Sequence, residues 1–162
     1  MLILLVLMLK FTHSAFSQTR EEEFILFVDS LCNHNTPLIS ADSLKALKDV
    51  VLLDAREKEE FDVSHLRAAK SVGYFWFDMR NVYNIHKDAT IVVYCSIGNR
   101  SEKIANKLLK FGYKNVYTLY GGIFNWVNAG YPIFRKDGVQ TTEIHTYDAK
   151  WASWVAKGAK VY

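Results

Sequence analysis

Two short segments of the chain, Val50–Asp54 and Thr90–Tyr94, carry apolar side chains at consecutive positions instead of alternate ones. A strand of this kind must be buried on both faces, which is typical of a parallel sheet covered by helices. Further strands are predicted at 70–72 and 115–119, and short helices at 59–62, 101–111 and 123–129 fall between the strands. The alternation predicts an α/β fold: an open parallel sheet with helices on both faces.

Length and charge limit the number of domains and the class of partner. A chain of 162 residues, half of them hydrophobic, is long enough for one compact unit with a normal core. The formal net charge of +3 is spread along the chain, so we expect no nucleic-acid partner. Two cysteines, Cys32 and Cys95, are too few for a four-thiolate zinc site, and the histidines show no paired ligand spacing. We therefore expect neither a metal nor a cofactor.

The first residues resemble a leader sequence. An apolar run at 2–9 is followed by the small residues Ser14, Ala15 and Ser17, which predicts a signal peptide over 1–17 and an exported protein, periplasmic or secreted. The run is far shorter than the roughly 20 residues that cross a bilayer, so no stable membrane span is expected. The alternative is a buried N-terminal segment of a cytoplasmic protein.

The strand at 90–94 runs directly into a short segment that could hold a reactive cysteine. In parallel sheets, ligands bind beyond the carboxyl ends of the strands, where Cys95 lies. Gly98 permits a turn that directs backbone amides inward, and the next helix adds its positive end. Arg100 supplies a second positive charge that would favour a thiolate. From spacing alone, an inert core cysteine explains the pattern equally well.

Several motifs together resemble the rhodanese family of sulfurtransferases. Residues 95–101 are similar to the family's active-site loop, and 53–57, 64–69 and 120–132 are similar to its other motifs in the same order. The resemblance implies a double displacement in which the Cys95 thiolate takes sulfane sulfur from thiosulfate or polysulfide and passes it to cyanide or a thiol. It also implies a substrate-binding loop made of Ser96, Ile97, Gly98, Asn99, Arg100 and Ser101.

The resemblance assigns supporting roles outside the loop. Asp54 and Arg56 are expected to support the loop structurally, whereas Arg100 is expected to face the opening and attract an anionic donor. The family often has glycine where this chain has Ser64 and Ala68. Those departures concern turn geometry and leave the chemistry unchanged.

Two other functions remain compatible with the sequence. Phosphatases and arsenate reductases of the same fold also use a loop cysteine followed by arginine, but five residues separate the two, against four here. The second alternative is a sulfur carrier that holds a persulfide for an unidentified protein acceptor and turns over poorly alone. Turnover with a small acceptor would distinguish a carrier from an enzyme.

The chain is predicted to divide into a leader at 1–17, an N-terminal helix and linker at 18–37, a rhodanese-like domain at 38–132 and a C-terminal extension at 133–162. Trp151, Trp154 and Val155 share a helical face in that extension and are interpreted as a docking helix. Phe75 and Trp76 are expected either to line the donor pocket or to pack in the core. We expect a monomer.

Overall fold

The computed structural model describes residues 20–162, so the predicted leader at 1–17 lies outside the described residues. Its centre is a sheet of five parallel strands. Their order across the sheet is β1 (Leu38–Ile39), β5 (Asn115–Leu119), β4 (Thr90–Tyr94), β2 (Val50–Asp54) and β3 (Lys70–Ser71). Within 20–162, no helix is both long enough and apolar enough to cross a bilayer. The predicted α/β class with a parallel sheet is confirmed.

Both faces of the sheet are buried, as the apolar strands predict. Val92 and Tyr94 of β4 belong to one hydrophobic cluster, whereas Val93 and Cys95 belong to the other. The first cluster contains residues of α1 (20–31), α2 (Ala41–Ala46) and α5 (Gly122–Asn128). The second contains residues of α4 (Asn99–Lys110) and of a 3-10 turn at Met79–Val82. Successive side chains of a strand point to opposite faces, so each cluster takes alternate residues of β4.

Local capping sets where the short helices begin. Ser40 caps α2 by accepting a hydrogen bond from the Ser43 amide at 3.1 Å. In α3 (Lys58–Val63), Glu57 and Glu60 form a reciprocal capping box. Helix α4 begins two residues before the predicted start, at Asn99, because Gly98 adopts a φ of 129° and ends the loop there. Arg100 therefore lies in the first turn of α4.

The C-terminal segment packs on the sheet domain with little regular structure. It contains the antiparallel pair β6 (Ile133–Phe134) and β7 (Gln140–Thr141), and the parallel pair β8 (Glu143–His145) and β9 (Ala159–Val161). Helix α6 spans only Ala149–Ala152, so Trp154 and Val155 follow the helix instead of sharing a face of it. Trp154 nevertheless stacks on Phe27 of α1, with ring centroids 4.3 Å apart.

Candidate active site

Cys95 lies at the carboxyl end of β4, where the loop to α4 begins. Its side chain is almost fully buried, and its Sγ accepts a hydrogen bond from the Gly98 amide at 3.2 Å. The Ser101 hydroxyl lies 3.7 Å from the same sulfur and 2.8 Å from the Gly98 carbonyl oxygen, to which it donates. The loop thus places the Gly98 amide hydrogen against the sulfur, with the Ser101 hydroxyl oxygen nearby.

Helix α5 holds the loop from behind. The amides of Ile123 and Phe124 donate to the carbonyl oxygens of Cys95 and Ser96, at 2.8 and 3.1 Å. The N–H and C=O of a trans peptide point in opposite directions, so these contacts direct the following loop amides away from α5. A Cβ on Gly122 would lie 2.3 Å from the Cys95 carbonyl oxygen, and the φ of 55° also favours glycine there.

Arg100 forms an ion pair that the sequence did not predict. Its guanidinium donates to both carboxylate oxygens of Glu60, at 2.7 and 2.8 Å, and to the Ser96 hydroxyl at 3.0 Å. Although burial alone raises the pKa of Glu60, the hydrogen bonds from Arg100 lower it to about 2. The Glu60 carboxylate therefore offsets the charge with which Arg100 is expected to attract an anionic donor. Whether Arg100 also contacts a donor stays a prediction.

Asp54 and Arg56 form a second ion pair, which is completely buried. Asp54 ends β2 beside Tyr94, the last residue of β4, and accepts from Arg56 Nε at 3.0 Å and from Nη2 at 2.7 Å. Arg56 Nη2 also donates to the Ser64 carbonyl oxygen at 2.6 Å. This pair links the end of β2 to Ser64, which follows α3, and has no contact with solvent.

Cys32 lies close to the loop but in different surroundings. A Cβ on Gly98 would come within 3.1 Å of the Cys32 sulfur, which shows how tightly the end of α1 packs on the loop. Burial, together with the nearby Cys95 and Glu102, raises the pKa of the Cys32 thiol to about 12. Cys32 is therefore a neutral thiol at neutral pH, and both cysteines are unpaired.

The cavity beside Cys95 contains residues to which the sequence assigned no site role. It measures about 350 Å³. Loop residues form one side of the cavity. The other side is formed by Leu31, Tyr147 and Trp151, which lie outside the predicted domain at 38–132. Trp151 was interpreted as a packing residue; it packs on Phe27 and also forms part of the cavity wall. Only tertiary packing brings these segments to the loop, so no local sequence signal could have identified them.

Phe75 and Trp76 occupy neither of the positions expected for them. Their side chains are 74% and 88% exposed, and they line neither the cavity nor the core. The Tyr74 and Phe75 amides both donate to the Glu57 carboxylate at 3.1 Å, which fixes this segment on the surface.

Among residues 20–162, no group of three or more His, Cys, Asp or Glu side chains could hold a metal ion.

Comparison with known proteins connects this geometry to a family. A model described as a rhodanese-like domain matches residues 40–129. A tRNA uridine(34) hydroxylase of Onion yellows phytoplasma is 39% identical over 106 residues, which are 61% of this chain and 34% of the relative. The chain therefore spans about a third of the length of this curated relative.

Two further relatives extend the comparison. An adenylyltransferase and sulfurtransferase uba4 of Ogataea parapolymorpha is 26% identical over 59% of this chain and 25% of the relative. The crystal structure of a rhodanese-related protein from Thermoplasma volcanium superposes with a TM-score of 0.53 and 28% identity. That match covers 60% of this chain and 96% of the solved structure.

Proposed function

Because the chain belongs to the family of rhodanese-like domains, we propose that it is a sulfurtransferase that carries sulfur on Cys95. One observation carries the proposal: the Cys95 sulfur accepts a hydrogen bond from the Gly98 amide. The loop is held in place because the carbonyl oxygens of Cys95 and Ser96 accept hydrogen bonds from α5. A persulfide on Cys95 would carry a negative charge close to the same amide hydrogen. The relative from Ogataea parapolymorpha, which is named an adenylyltransferase and sulfurtransferase, supports the same reaction class.

The reaction has two steps. The Cys95 thiolate attacks the outer sulfur of thiosulfate, a sulfur–sulfur bond forms, and sulfite leaves with the electrons of the broken bond. A nucleophile such as cyanide or a thiolate then attacks the outer sulfur of the persulfide, and the Cys95 thiolate leaves. Neither step requires an oxidant or a metal. No general base is needed if the nucleophile is already ionised.

Mass measurement tests whether Cys95 carries the sulfur. After incubation with thiosulfate without reductant, the intact protein should gain one sulfur atom and lose it on addition of cyanide. We expect Cys95→Ser to abolish both the adduct and turnover, while Cys32→Ser, the matched control, leaves both nearly unchanged. An adduct that persists in Cys95→Ser, or one that disappears in Cys32→Ser, would overturn the assignment. An adduct without steady-state turnover would identify a sulfur carrier.

The identity with tRNA uridine(34) hydroxylases favours a second candidate, in which the Cys95 site serves the modification of uridine in tRNA. The modest net charge of +3 gives this candidate less electrostatic support. Incubation with unmodified tRNA, followed by mass spectrometry of the nucleosides, distinguishes the two. A Cys95-dependent change in a uridine would favour the RNA candidate. Thiosulfate turnover with unchanged nucleosides would favour the first.

A further inference from the structure

The cavity beside Cys95 is built from two sources. Five of its residues come from the loop and the start of α4, within the segment that matches the family. Leu31, Tyr147 and Trp151 lie outside that segment and form the remaining wall. A volume of about 350 Å³ lies within the range of small-molecule sites and far exceeds what cyanide fills.

The N-terminal wall is anchored to the first turn of α4. The Asn99 side-chain amide donates to the Leu31 carbonyl oxygen. The backbone amides of Asn33 and Asn35 donate to the two carboxylate oxygens of Glu102, at 3.0 and 2.5 Å, and Glu102 is itself buried. These contacts hold Leu31 at a fixed position relative to the loop, so the wall exists before a ligand binds.

The C-terminal wall is anchored to the N-terminal one. Phe27 of α1 lies against Trp154 and Trp151, with centroid distances of 4.3 and 5.7 Å. Tyr147 adopts a φ of 65°, which is unfavourable for a tyrosine and persists only where surrounding contacts hold it. Its ring lies 5.6 Å from the Arg100 guanidinium carbon and 6.3 Å from the Trp151 ring. Two aromatic rings therefore stand beside the loop.

The cavity wall around the cysteine carries little net charge. The positive charge of Arg100 is offset by Glu60, whose carboxylate it binds with two hydrogen bonds. The remaining wall is mostly apolar, with Leu31, Ile97 and Trp151. A wall of this kind favours a ligand with an uncharged carbon body, and the two rings favour an aromatic one.

We propose that the cavity binds the aromatic body of a small organic thiol, which is the sulfur acceptor, and that Leu31, Tyr147 and Trp151 determine this preference. The inference rests on the proposed sulfurtransferase reaction. The bound thiolate attacks the outer sulfur of the Cys95 persulfide, a new sulfur–sulfur bond forms on the acceptor, and the Cys95 thiolate leaves. The product is an organic persulfide.

Acceptor kinetics test the proposal. With thiosulfate as donor, kcat/KM for each acceptor reports only the second half-reaction. We expect phenylmethanethiol to exceed 2-mercaptoethanol in kcat/KM, and Trp151→Ala to lower the value for phenylmethanethiol about tenfold, equivalent to about 1.4 kcal/mol. The value for cyanide should change less than about twofold, because cyanide does not need the wall. Leu31→Ala is a second variant, and Trp76→Ala, at a residue that is 88% exposed, is the matched control.

Each outcome has a defined meaning. Equal kcat/KM for the two thiols, or an equal loss with cyanide in Trp151→Ala, would overturn the acceptor proposal while the sulfurtransferase function stands. If no acceptor turns over, the proposed function fails, and direct binding of phenylmethanol, observed by NMR, decides the cavity separately. Binding that weakens in Trp151→Ala and not in Trp76→Ala would support the aromatic site. No binding at millimolar concentrations would overturn it.

Discussion

Arg56 and Arg100 each pair with a carboxylate, Arg56 at the end of β2 and Arg100 at the start of α4. The Arg56 pair is sealed, with both side chains at 0% exposure, whereas Arg100 and Glu60 are 17% and 3% exposed beside the cavity. Arg56 makes its further contact with a backbone carbonyl, and Arg100 with the hydroxyl of a loop residue. The difference teaches that access to water, and not the pairing itself, separates a structural ion pair from one that forms part of a site.

The largest expected effect is on the sealed pair. Arg56→Ala leaves the Asp54 carboxylate buried without its partner, which should lower the free energy of unfolding by about 4 kcal/mol. Arg80→Ala is the matched control, since Arg80 pairs with Asp78 at the same sequence spacing but is 79% exposed, and it should leave the free energy of unfolding nearly unchanged. Urea denaturation measures both. Equal losses would show that burial does not distinguish the two pairs.

Arg100→Ala should have a smaller effect on stability. Water can reach Glu60 from the cavity side once the guanidinium is removed, so we expect a loss of about 3 kcal/mol, at the low end for a broken buried pair. Because Glu60 already offsets the charge, kcat/KM should fall similarly for thiosulfate and for an uncharged donor. A loss confined to thiosulfate would show that Arg100 attracts the anion after all.

The pH dependence of the free energy of unfolding measures the contribution of the Glu60 carboxylate. The pKa of Glu60 is lowered from its ordinary value to about 2, so its contribution is complete above about pH 4.5 and is lost as the pH falls toward 2. Between pH 6 and pH 3, wild type should lose about 2 kcal/mol more than Glu60→Gln. Glu59→Gln, at the adjacent exposed position, should retain the wild-type pH dependence. An identical dependence in all three proteins would contradict the assignment.

The smallest expected effect is at a turn just after Ser64, the residue whose carbonyl oxygen binds Arg56. Ala68 follows in that segment with a φ of 59°, a conformation that glycine adopts more easily. We expect Ala68→Gly to raise the melting temperature slightly, by the equivalent of about 0.5 kcal/mol. Ala156→Gly, at an exposed position without a positive φ, should instead lower it. A loss in Ala68→Gly would show that the turn is not strained.

The sheet and the loop could be predicted because their signals are local. A run of apolar residues that ends at Cys95, followed by Gly98 and a helical pattern, specifies the strand, the turn and the helix without distant contacts. The resemblance then placed these elements within a known fold. The same resemblance assigned supporting roles to Asp54 and Arg56, which the structure pairs at the end of β2.

The rest of the site depends on contacts between distant segments. Glu60 and Arg100 are 40 residues apart, and no local pattern indicates that they pair. Tyr147 and Trp151 reach the cavity only because the C-terminal segment packs on α1. The expected positions of Phe75 and Trp76 were wrong because hydrophobic side chains usually indicate burial. Here hydrogen bonds to Glu57 hold their segment at the surface.

The contact between Gly122 and the Cys95 carbonyl makes the loop and α5 a single mechanical unit. No side chain fits between them, so any displacement of α5 also moves the backbone of Cys95. The C-terminal segment is in turn bound to α5, where the Asn128 side chain donates to the Trp154 carbonyl oxygen at 2.9 Å. Sequence changes in the C-terminal segment can therefore alter the position of the Cys95 sulfur even when every residue of the loop stays the same.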